Sequence, residues 1–283
     1  MEGTETMSTI VRILAGLFAL VLGGLVARRV HHERRIARIR AALEARREEG
    51  KTFQAAMVSD LPEPGQRYFL HAIEPGTPLA SQVILHMTGS ISTDKGKSWM
   101  PLTAEQVLTP WQGFVWKARV DSGPLFLSGA DYYHEGEGRV HFDLLGLFPV
   151  VDAGGPDVSL SALGRMVIET MWLPSALLRS GDVRWTAEDE ERLQATVTVD
   201  GEPLQLNFAI GPLGQVLRAD ILRWGSEPDR GAIFRYLPFS ATVDEEGAFG
   251  GYTIPVRLRV GWTYETEGYV ESIRLQVHQA HFS

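Results

Sequence analysis

Two acidic residues, Glu169 and Asp131, are the candidates for catalysis in this sequence. Glu169 lies in an apolar segment of helical spacing, and Trp172 follows it within one turn. A carboxyl group buried beside an indole ring has a raised pKa and can act as a general acid or base. Arg165 stands four residues before Glu169, so an ordinary exposed or half-exposed ion pair is the alternative interpretation. The sequence places no second carboxylate or nucleophile beside Glu169.

The segment that contains Asp131 also carries side chains of the types that bind metal ions. Asp131, His134, Glu135, Glu137 and His141 surround a glycine-rich turn. Their spacing matches no metal-binding motif, and polar residues beside such a turn are usually solvated, so we predict no metal site. The chain lacks cysteine, a Gly-x-Ser-x-Gly elbow, a phosphate-binding glycine-rich loop with lysine and a His-Glu-x-x-His pattern. We therefore expect no cofactor.

Four tryptophans are the candidates for binding an apolar ligand. Trp99, Trp116, Trp172 and Trp262 are spread over the region that follows the N-terminal segments. Large aromatic side chains can line a ligand cavity, because they offer much apolar surface and little flexibility. The alternative is ordinary core packing, since one face of each strand must be covered. Both interpretations stay open.

The elements that must position these residues are mainly strands. In residues 113–121, Phe114, Trp116, Ala118 and Val120 alternate with side chains of the opposite face. The same alternation occurs in residues 83–91, 193–199, 204–210, 216–224, 256–264 and 273–277. Parallel strands buried on both faces would instead give continuous apolar runs, so the alternation predicts an antiparallel sheet.

One helical segment interrupts the strands. Its apolar spacing predicts a helix over residues 161–173, capped by Ser159 or Ser161, then a bend or stop at Pro174 and a continuation to about residue 178. The predicted fold is mainly β, of the α+β kind. We expect a curved antiparallel sheet or half-barrel with one or two helices packed on it.

The N-terminal segment has the composition of a membrane anchor. Residues 9–27 are apolar except for Arg12, and these 19 residues span roughly 28 Å as a helix, close to the hydrocarbon thickness. A cleaved signal peptide is the alternative, but its charges would precede the apolar run, whereas here an arginine cluster follows it. We predict an anchor within residues 1–27, a basic juxtamembrane helix over 28–60, and an antiparallel β domain over 61–283.

Charge indicates the orientation and excludes one class of partner. Residues 28–51 hold nine Arg or Lys and four Glu, whereas one Arg precedes the apolar run. The positive-inside rule therefore predicts a single-pass protein with its β domain in the cytoplasm. The basic helix is expected either to lie on anionic lipid or to form a solvated stalk. The total charge of −8 leaves residues 52–283 strongly acidic, which argues against nucleic acid as a partner.

An ordered set of short segments resembles a bacterial family of unknown function, DUF6544, also known as DUF6920, over about residues 61–282. The segments are residues 99–104 (WMPLTA), 113–120 (GFVWKARV), 144–151 (LLGLFPVV), 172–178 (WLPSALL), 249–255 (FGGYTIP) and 261–262 (GW). The resemblance implies no activity, because the family has none assigned. At the level of the fold, its outline is similar to the LolA-type lipoprotein carriers, half-barrels that hold acyl chains outside the cytoplasm. That likeness implies an extracytoplasmic location as the alternative.

Three functions are compatible with these observations. The first is a membrane-anchored module that binds a lipid or other apolar ligand in the concavity of its sheet, which predicts a deep apolar pocket without convergent ionisable groups. The second is a hydrolase-like enzyme that uses Glu169 or Asp131, which predicts these residues in one cleft. The third is a scaffold that binds a protein through a sheet edge or an apolar patch.

Overall fold

The computed structural model describes residues 2–45, 51–179, 183–226 and 233–283. In these ranges the chain forms one antiparallel sheet of 13 strands. The strands are β1 (Val83–Ile91), β2 (Met100–Thr109), β3 (Gly113–Ser122), β4 (Leu125–His134), β5 (Glu137–Leu144), β6 (Phe148–Gly154), β7 (Arg184–Ala187), β8 (Arg192–Val199), β9 (Glu202–Ile210), β10 (Val216–Ser226), β11 (Phe234–Phe249), β12 (Tyr252–Trp262) and β13 (Val270–Phe282).

The order of the strands explains how the sheet encloses a core. The order is β6-β5-β4-β3-β2-β1-β13-β12-β11-β10-β9-β8-β7, so the two edge strands are also consecutive in the chain. Between them run α3 (Pro156–Ile168), a 3₁₀ turn (Glu169–Trp172) and α4 (Pro174–Arg179). Because α3 contacts both β5 and β10, the sheet must curl around it. We name the face that α3 covers the inner face. The predicted mainly β fold, an antiparallel sheet with helices packed on it, is confirmed.

Tight turns join neighbouring strands where the sequence predicts them. Glu135 and Gly136 connect β4 to β5 with φ of 51° and 79°, and Asp200 and Gly201 connect β8 to β9 with φ of 51° and 84°. Two consecutive residues with positive φ match the right-handed twist of an antiparallel pair. These turns fix the register, and the register decides which side chains point to the inner face.

The helix on the inner face starts earlier than its apolar spacing predicts. It begins at Pro156, with Gly155 in the cap position, and no side chain caps it. Proline is favoured in the first turn because its missing N–H has no partner there anyway. The predicted serine cap is wrong, because the Ser159 hydroxyl donates to the Gly155 carbonyl and accepts a hydrogen bond from the Gly138 N–H.

A second helix covers another part of the inner face. After a 3₁₀ turn (Ala55–Val58), α2 (Glu63–Ala72) begins directly behind Pro62. Tyr68 and Phe69 of α2 are fully buried in the main core. Pro62 and Pro64, residues that cannot continue a preceding helix, therefore lie at the start of α2, where proline is favoured.

The N-terminal helix is continuous through the predicted boundary at residue 28. It runs as α1 (Glu2–Ala45). Of the helix predicted over residues 28–60, the described α1 covers the part up to Ala45. Residues 46–50 lie outside the described residues, and within residues 51–60 the structure has a 3₁₀ turn at Ala55–Val58. The part of α1 that follows Thr9 is long and apolar enough to cross a membrane, and its apolar window is not buried against the rest of the chain.

The second half of α1 packs on the outer face of the sheet. Ile36, Ile39 and Leu43 are buried there, in a small core with residues of β2, β3 and β4 that include Val115 and Tyr132. These three residues have the i, i+3, i+7 spacing of one helical face. The apolar stripe of the basic helix is therefore covered by protein.

Ion pairs surround this contact. Arg35 pairs with Glu137 at 2.5 Å, and Lys117 of β3 reaches back to Glu33 at 2.6 Å. Arg40 pairs with Glu105 of β2. The basic helix is thus neither a solvated stalk nor free to lie flat on lipid, because its apolar stripe and several of its arginines contact the acidic β sheet. The spacing of the apolar residues in the sequence predicts the stripe, but it does not predict the surface that covers the stripe.

Candidate functional site

A cavity of about 360 Å³ lies between the inner face of the sheet and the segment that crosses it. Strands from both halves of the sheet form its walls. The apolar lining includes Ile91, Met100, Val120, Leu127, Leu258 and Ile273. The volume is within the range of roughly 300–1,000 Å³ that is typical of small-molecule sites. The cavity is therefore the candidate functional site.

Three of the four tryptophans predicted to bind a ligand line this cavity. They are Trp116 of β3, Trp172 of the 3₁₀ turn and Trp262 of β12. Trp172 is fully buried and its indole N–H donates to the Pro255 carbonyl, which fixes the ring as part of the wall. Trp99 is not among the lining residues, and it lies under the guanidinium of Arg274 at 4.0 Å.

Both predicted catalytic carboxylates lie on the cavity wall, joined by one arginine. Arg165 of α3 pairs with Glu169 at 2.7 Å and also with Asp131 of β4. Gln106 of β2 donates its amide N–H to Glu169 at 2.7 Å. We name these four residues the inner cluster. The structure thus brings together the two carboxylates that the sequence could not place side by side.

The inner cluster is an ion-pair network with one open acceptor. Glu169 is buried and Arg165 nearly so, and the guanidinium also lies 4.8 Å from the Phe114 ring. Burial alone would lower the pKa of Arg165, but the charges of Glu169 and Asp131 outweigh it and the pKa is raised. The Oδ1 atom of Asp131 is buried and has no hydrogen-bond partner in the described part of the chain. The predicted ion pair therefore exists, but in the core rather than at the surface.

A second arginine faces the cavity without an equivalent partner. Arg223 of β10 donates from Nε to the Ser161 carbonyl at 2.9 Å, and its guanidinium lies 4.6 Å and 4.9 Å from the rings of Phe239 and Trp262. Burial lowers its pKa to about 10, with a further contribution from the positive charge of Arg165. Among the described residues no carboxylate forms an ion pair with it. The two rings contact each other with centroids 4.7 Å apart, so Arg223 is a cation that lies against an aromatic pair and is open to the cavity.

Gln106 and Arg223 are not among the residues predicted from the sequence, although the sequence contains a signal for both. In β10, Ala219 and Ile221 are buried, and Arg223 continues the same period of two. In β2, Gln106 precedes the buried Leu108 by two residues and is itself fully buried. A polar residue at an inward position of an alternating strand must find a partner or face a ligand, because burying it alone is costly.

The other polar residues around the glycine-rich turn that follows Asp131 lie on the opposite face of the sheet. His134, Glu135 and Glu137 border a shallow pocket beside α1. His141 is buried under α1, and its ring centroid lies 3.9 Å from that of His32. In the described ranges no group of three or more His, Cys, Asp or Glu is placed to hold a metal ion. The alternation of β4 and β5 separates these residues from Asp131.

The fold and the cavity define the chain as an antiparallel β domain that encloses an apolar cavity under a crossing helix, with a long apolar helix in front. The chain belongs to the DUF6544 family, a family of unknown function, whose model matches residues 51–272. Curated proteins give no match.

Two solved structures are similar to this chain over most of its length. A LolA superfamily protein from Nitrosomonas europaea is 12% identical with a TM-score of 0.41, and the match covers 77% of this chain and 91% of that chain. A DUF1329 family protein from Desulfovibrio piger is 10% identical with a TM-score of 0.36, and the match covers 72% and 86%. The predicted likeness to LolA-type proteins is found, but at these values it carries no argument about function. The cavity is therefore the feature of the chain that indicates a function.

Proposed function

We propose that this protein is a membrane-anchored module that holds a lipid or another apolar molecule in the inner cavity. The cavity itself carries the proposal. Protein cores are normally packed to a density that leaves few voids larger than a water molecule, and a space of about 360 Å³ with mainly apolar walls departs from that rule. An apolar ligand would fill the space and bury surface that otherwise stays uncovered.

The ligand would need a polar end as well as an apolar body. Arg223 offers the group that such an end would contact, since its guanidinium faces the cavity and has no carboxylate partner among the described residues. A carboxylate or phosphate accepts two hydrogen bonds from a guanidinium. We therefore propose an amphiphile whose acidic or strongly polar head meets Arg223 and whose chain lies between Val120 and Ile273.

The hydrolase-like alternative has weaker support. The cavity does contain convergent ionisable groups, contrary to what a purely apolar binding site requires. However, Arg165 holds both Glu169 and Asp131 in ion pairs, and the one acceptor left open among the described residues of the cluster, Oδ1 of Asp131, has no nucleophile or second free carboxylate in the cluster to act with it. We propose that the inner cluster supports the cavity wall and does not perform catalysis.

The anchor in this proposal is residues 9–27, kept in the mature protein. The docked half of α1 continues without a break into the apolar half, which favours an anchor over a cleaved signal. An intact mass of the protein purified from membranes checks this directly, because cleavage would remove the apolar half. A reporter that works on only one side of the membrane, fused to Ser283, tests the proposed cytoplasmic location against the extracytoplasmic alternative.

Photocrosslinking of the full chain in its own membrane tests the binding function. Cells are grown with a fatty acid that carries a diazirine and an alkyne, irradiated, and the labelled peptides are mapped by mass spectrometry. We expect adducts on cavity residues such as Leu258 and Ile273 in addition to adducts on residues 9–27. Adducts confined to residues 9–27 would refute the binding function, while the labelled anchor would show that the probe had reached the protein.

A pair of variants on β11 makes the test specific. Ala241 is buried and lines the cavity, so Ala241→Phe fills part of the space, whereas Ala248 is exposed on the same strand. Ala241→Phe should reduce the cavity adducts and leave the anchor adducts unchanged. Ala248→Phe is the matched control and should change neither.

A further inference from the structure

One end of the sheet lies next to the point where α1 leaves the apolar segment. Arg28 pairs with Asp143 of β5 and with Asp152 of β6, and Arg29 donates to the carbonyl of Gly146 in the turn between these strands. Both arginines directly follow the apolar residues 9–27. The β5–β6 turn is therefore within the reach of one arginine side chain from the end of the proposed membrane span.

The direction of α1 identifies the opposite end of the sheet as the distal one. Arg35 contacts Glu137 at the start of β5, and the carbonyl of Leu43 accepts a hydrogen bond from Gln82, just before β1. The helix thus runs away from the β5–β6 turn as residue number rises. Towards lower residue numbers the continuous helix extends past this turn, so the turn and the span lie on the same side of the domain.

The end of the sheet nearest the span exposes apolar side chains on two adjacent turns. The Leu145 N–H donates to the Phe126 carbonyl at 2.8 Å, which joins the β5–β6 turn to the start of β4. We name the following four residues the apolar rim: Leu125 (44% exposed), Leu145 (41%), Phe148 (48%) and Val150 (57%). Scattered exposed apolar residues need no explanation, but four on neighbouring turns beside a membrane span form a patch.

The cavity reaches the same end of the sheet. Val120 and Leu127, which flank the β3–β4 turn, line the cavity. So do Ile91 and Met100, which flank the β1–β2 connection at the same end. Val151 connects the two features, since it follows Val150 of the rim, lines the cavity and is itself partly exposed.

We propose that the apolar rim inserts into the bilayer interface, so that the mouth of the cavity faces the membrane and a membrane lipid enters the cavity without crossing water. This inference rests on the proposed function, because it requires residues 9–27 to span the membrane. It adds a second membrane contact, made by the sheet, and identifies the bilayer as the source of the ligand. The contact is confined to the side near α1, because the β12–β13 loop carries the exposed Glu265.

The chain contains no cysteine, so an introduced cysteine is the one thiol that a thiol-reactive fluorophore can label. Single-cysteine variants of the full chain are labelled with an environment-sensitive fluorophore and reconstituted in vesicles whose lipids carry bromine on their chains. Val150→Cys and Phe148→Cys report on the rim. Leu213→Cys, in an exposed turn between β9 and β10, is the matched control, because Leu213 is apolar and 77% exposed. Phe18→Cys reports on the anchor.

The expected result is a blue-shifted emission and a loss of most of the fluorescence at positions 148 and 150, with no quenching at 213. Quenching at 18 but not at 148 or 150 would overturn the inference and leave the anchor in place. Equal quenching at 150 and 213 would also overturn it, because the domain would then contact lipid without a preferred end. No quenching at 18 would overturn both the inference and the anchor on which it rests.

A different measurement, the photolabelling of the cavity, tests the binding function. If the rim is quenched but the photoreactive fatty acid gives no adducts in the cavity, the sheet contacts the bilayer without taking up lipid. If cavity adducts form in the absence of rim quenching, the binding function stands and the route of entry through the rim does not. The two proposals are therefore separable on the same protein.

Discussion

Strands β4 and β5 separate two polar clusters of very different kinds. The inner cluster joins Asp131, Arg165 and Glu169 with Gln106 on the cavity wall. The outer cluster, under α1, contains Arg28, His32, His141 and Asp143. Both are held by the same part of the sheet, yet one faces a cavity and the other joins the domain to its N-terminal helix.

The two clusters differ in the chemical groups that they contain. The inner cluster consists of an arginine, two carboxylates and an amide, and the charges of Glu169 and Asp131 raise the pKa of Arg165 despite its burial. The outer cluster includes the rings of His32 and His141 in contact, and burial, followed by the neighbouring His141, lowers the pKa of His32 to about 4. The inner cluster is thus suited to hold the cavity wall in one shape, whereas the imidazole of His32 makes the packing of α1 on the sheet sensitive to pH.

The largest effect is expected from removing the cation of the inner cluster. Arg165→Met leaves the carboxylates of Asp131 and Glu169 buried without compensation, which should lower the free energy of unfolding by about 3–5 kcal/mol. Chemical denaturation of the full-length protein in detergent measures this. Arg257→Met is the control, since Arg257 and Glu245 form an exposed pair at 2.9 Å that should contribute at most about 1 kcal/mol. A loss no greater than that of the control would show that the inner cluster is not a structural network.

Disrupting the contact between α1 and the outer face of the sheet should have a somewhat smaller effect on the free energy of unfolding. Leu43 is the most buried residue of α1, and Leu43→Ala leaves a cavity between the helix and the sheet, at a cost of roughly 2–4 kcal/mol. Leu20→Ala, an exposed position in the apolar half of the same helix, is the control and should not change the unfolding of the β domain. Equal stability of the two variants would mean that α1 is not docked on the sheet in solution.

Much of the fold could be predicted from the sequence, because the alternation of apolar residues is a local property. The strand predicted over residues 83–91 coincides with β1, and that over residues 216–224 lies within β10. The partner of the basic helix could not be predicted. Its apolar stripe, Ile36, Ile39 and Leu43, indicates burial, but only the folded sheet supplies the outward-facing Val115 and Tyr132 that cover it.

The candidate site was predicted only in its residue types. Arg165 and Glu169 are four residues apart, so their pairing follows from helical geometry. The contact of Asp131 with Arg165 depends on the packing of α3 against β4, because the two residues are separated by 34 positions in the sequence. A pairing of this kind follows from the curvature of the whole sheet, which no local pattern contains.

A charge-only change in the inner cluster separates a structural role from catalysis. Glu169→Gln keeps a hydrogen-bonding group but removes one charge, and the free energy of unfolding should fall by about 2 kcal/mol, the value of a charge-assisted hydrogen bond. We expect neither this variant nor the wild type to hydrolyse a long-chain nitrophenyl ester above background. Glu245→Gln is the exposed control. Ester hydrolysis that disappears in Glu169→Gln, with unchanged stability, would instead establish the hydrolase-like function.

The stability contributed by the outer cluster should depend on pH. Burial, and then the neighbouring His141, lower the pKa of His32 to about 4, against an opposing effect of Glu33 and Asp143. The unfolded chain takes up this proton near pH 6.5, so between about pH 6.5 and pH 4 it binds more protons than the folded chain, and stability falls as the pH falls. Because water screens the half-exposed ring, we expect a loss of about 1 kcal/mol over this window.

Denaturation of the wild type and of His32→Gln at pH 7 and at about pH 4.5 measures the effect. Carboxylates that contact the outer cluster, such as Asp152 with its lowered pKa, also lose stability in acid, but they do so in both proteins. The difference between the two proteins therefore isolates His32. An identical pH dependence would show that the ring of His32 is not buried against His141, and that the two clusters do not differ in the way proposed.

Replacement of Arg223 is expected to have the smallest effect on stability and the most specific effect on ligand binding. This cation has no carboxylate partner among the described residues, so Arg223→Met should change the free energy of unfolding by less than about 1 kcal/mol. In reconstituted vesicles, cavity labelling by a photoreactive fatty acid should fall about tenfold, the equivalent of one charge-assisted hydrogen bond. Labelling by the corresponding alcohol should stay unchanged, and Arg223→Lys, which keeps the charge, should retain part of the difference. Equal losses for the acid and the alcohol would mean that Arg223 only shapes the wall, as the inner cluster does, and that the cavity selects its ligand by apolar volume alone.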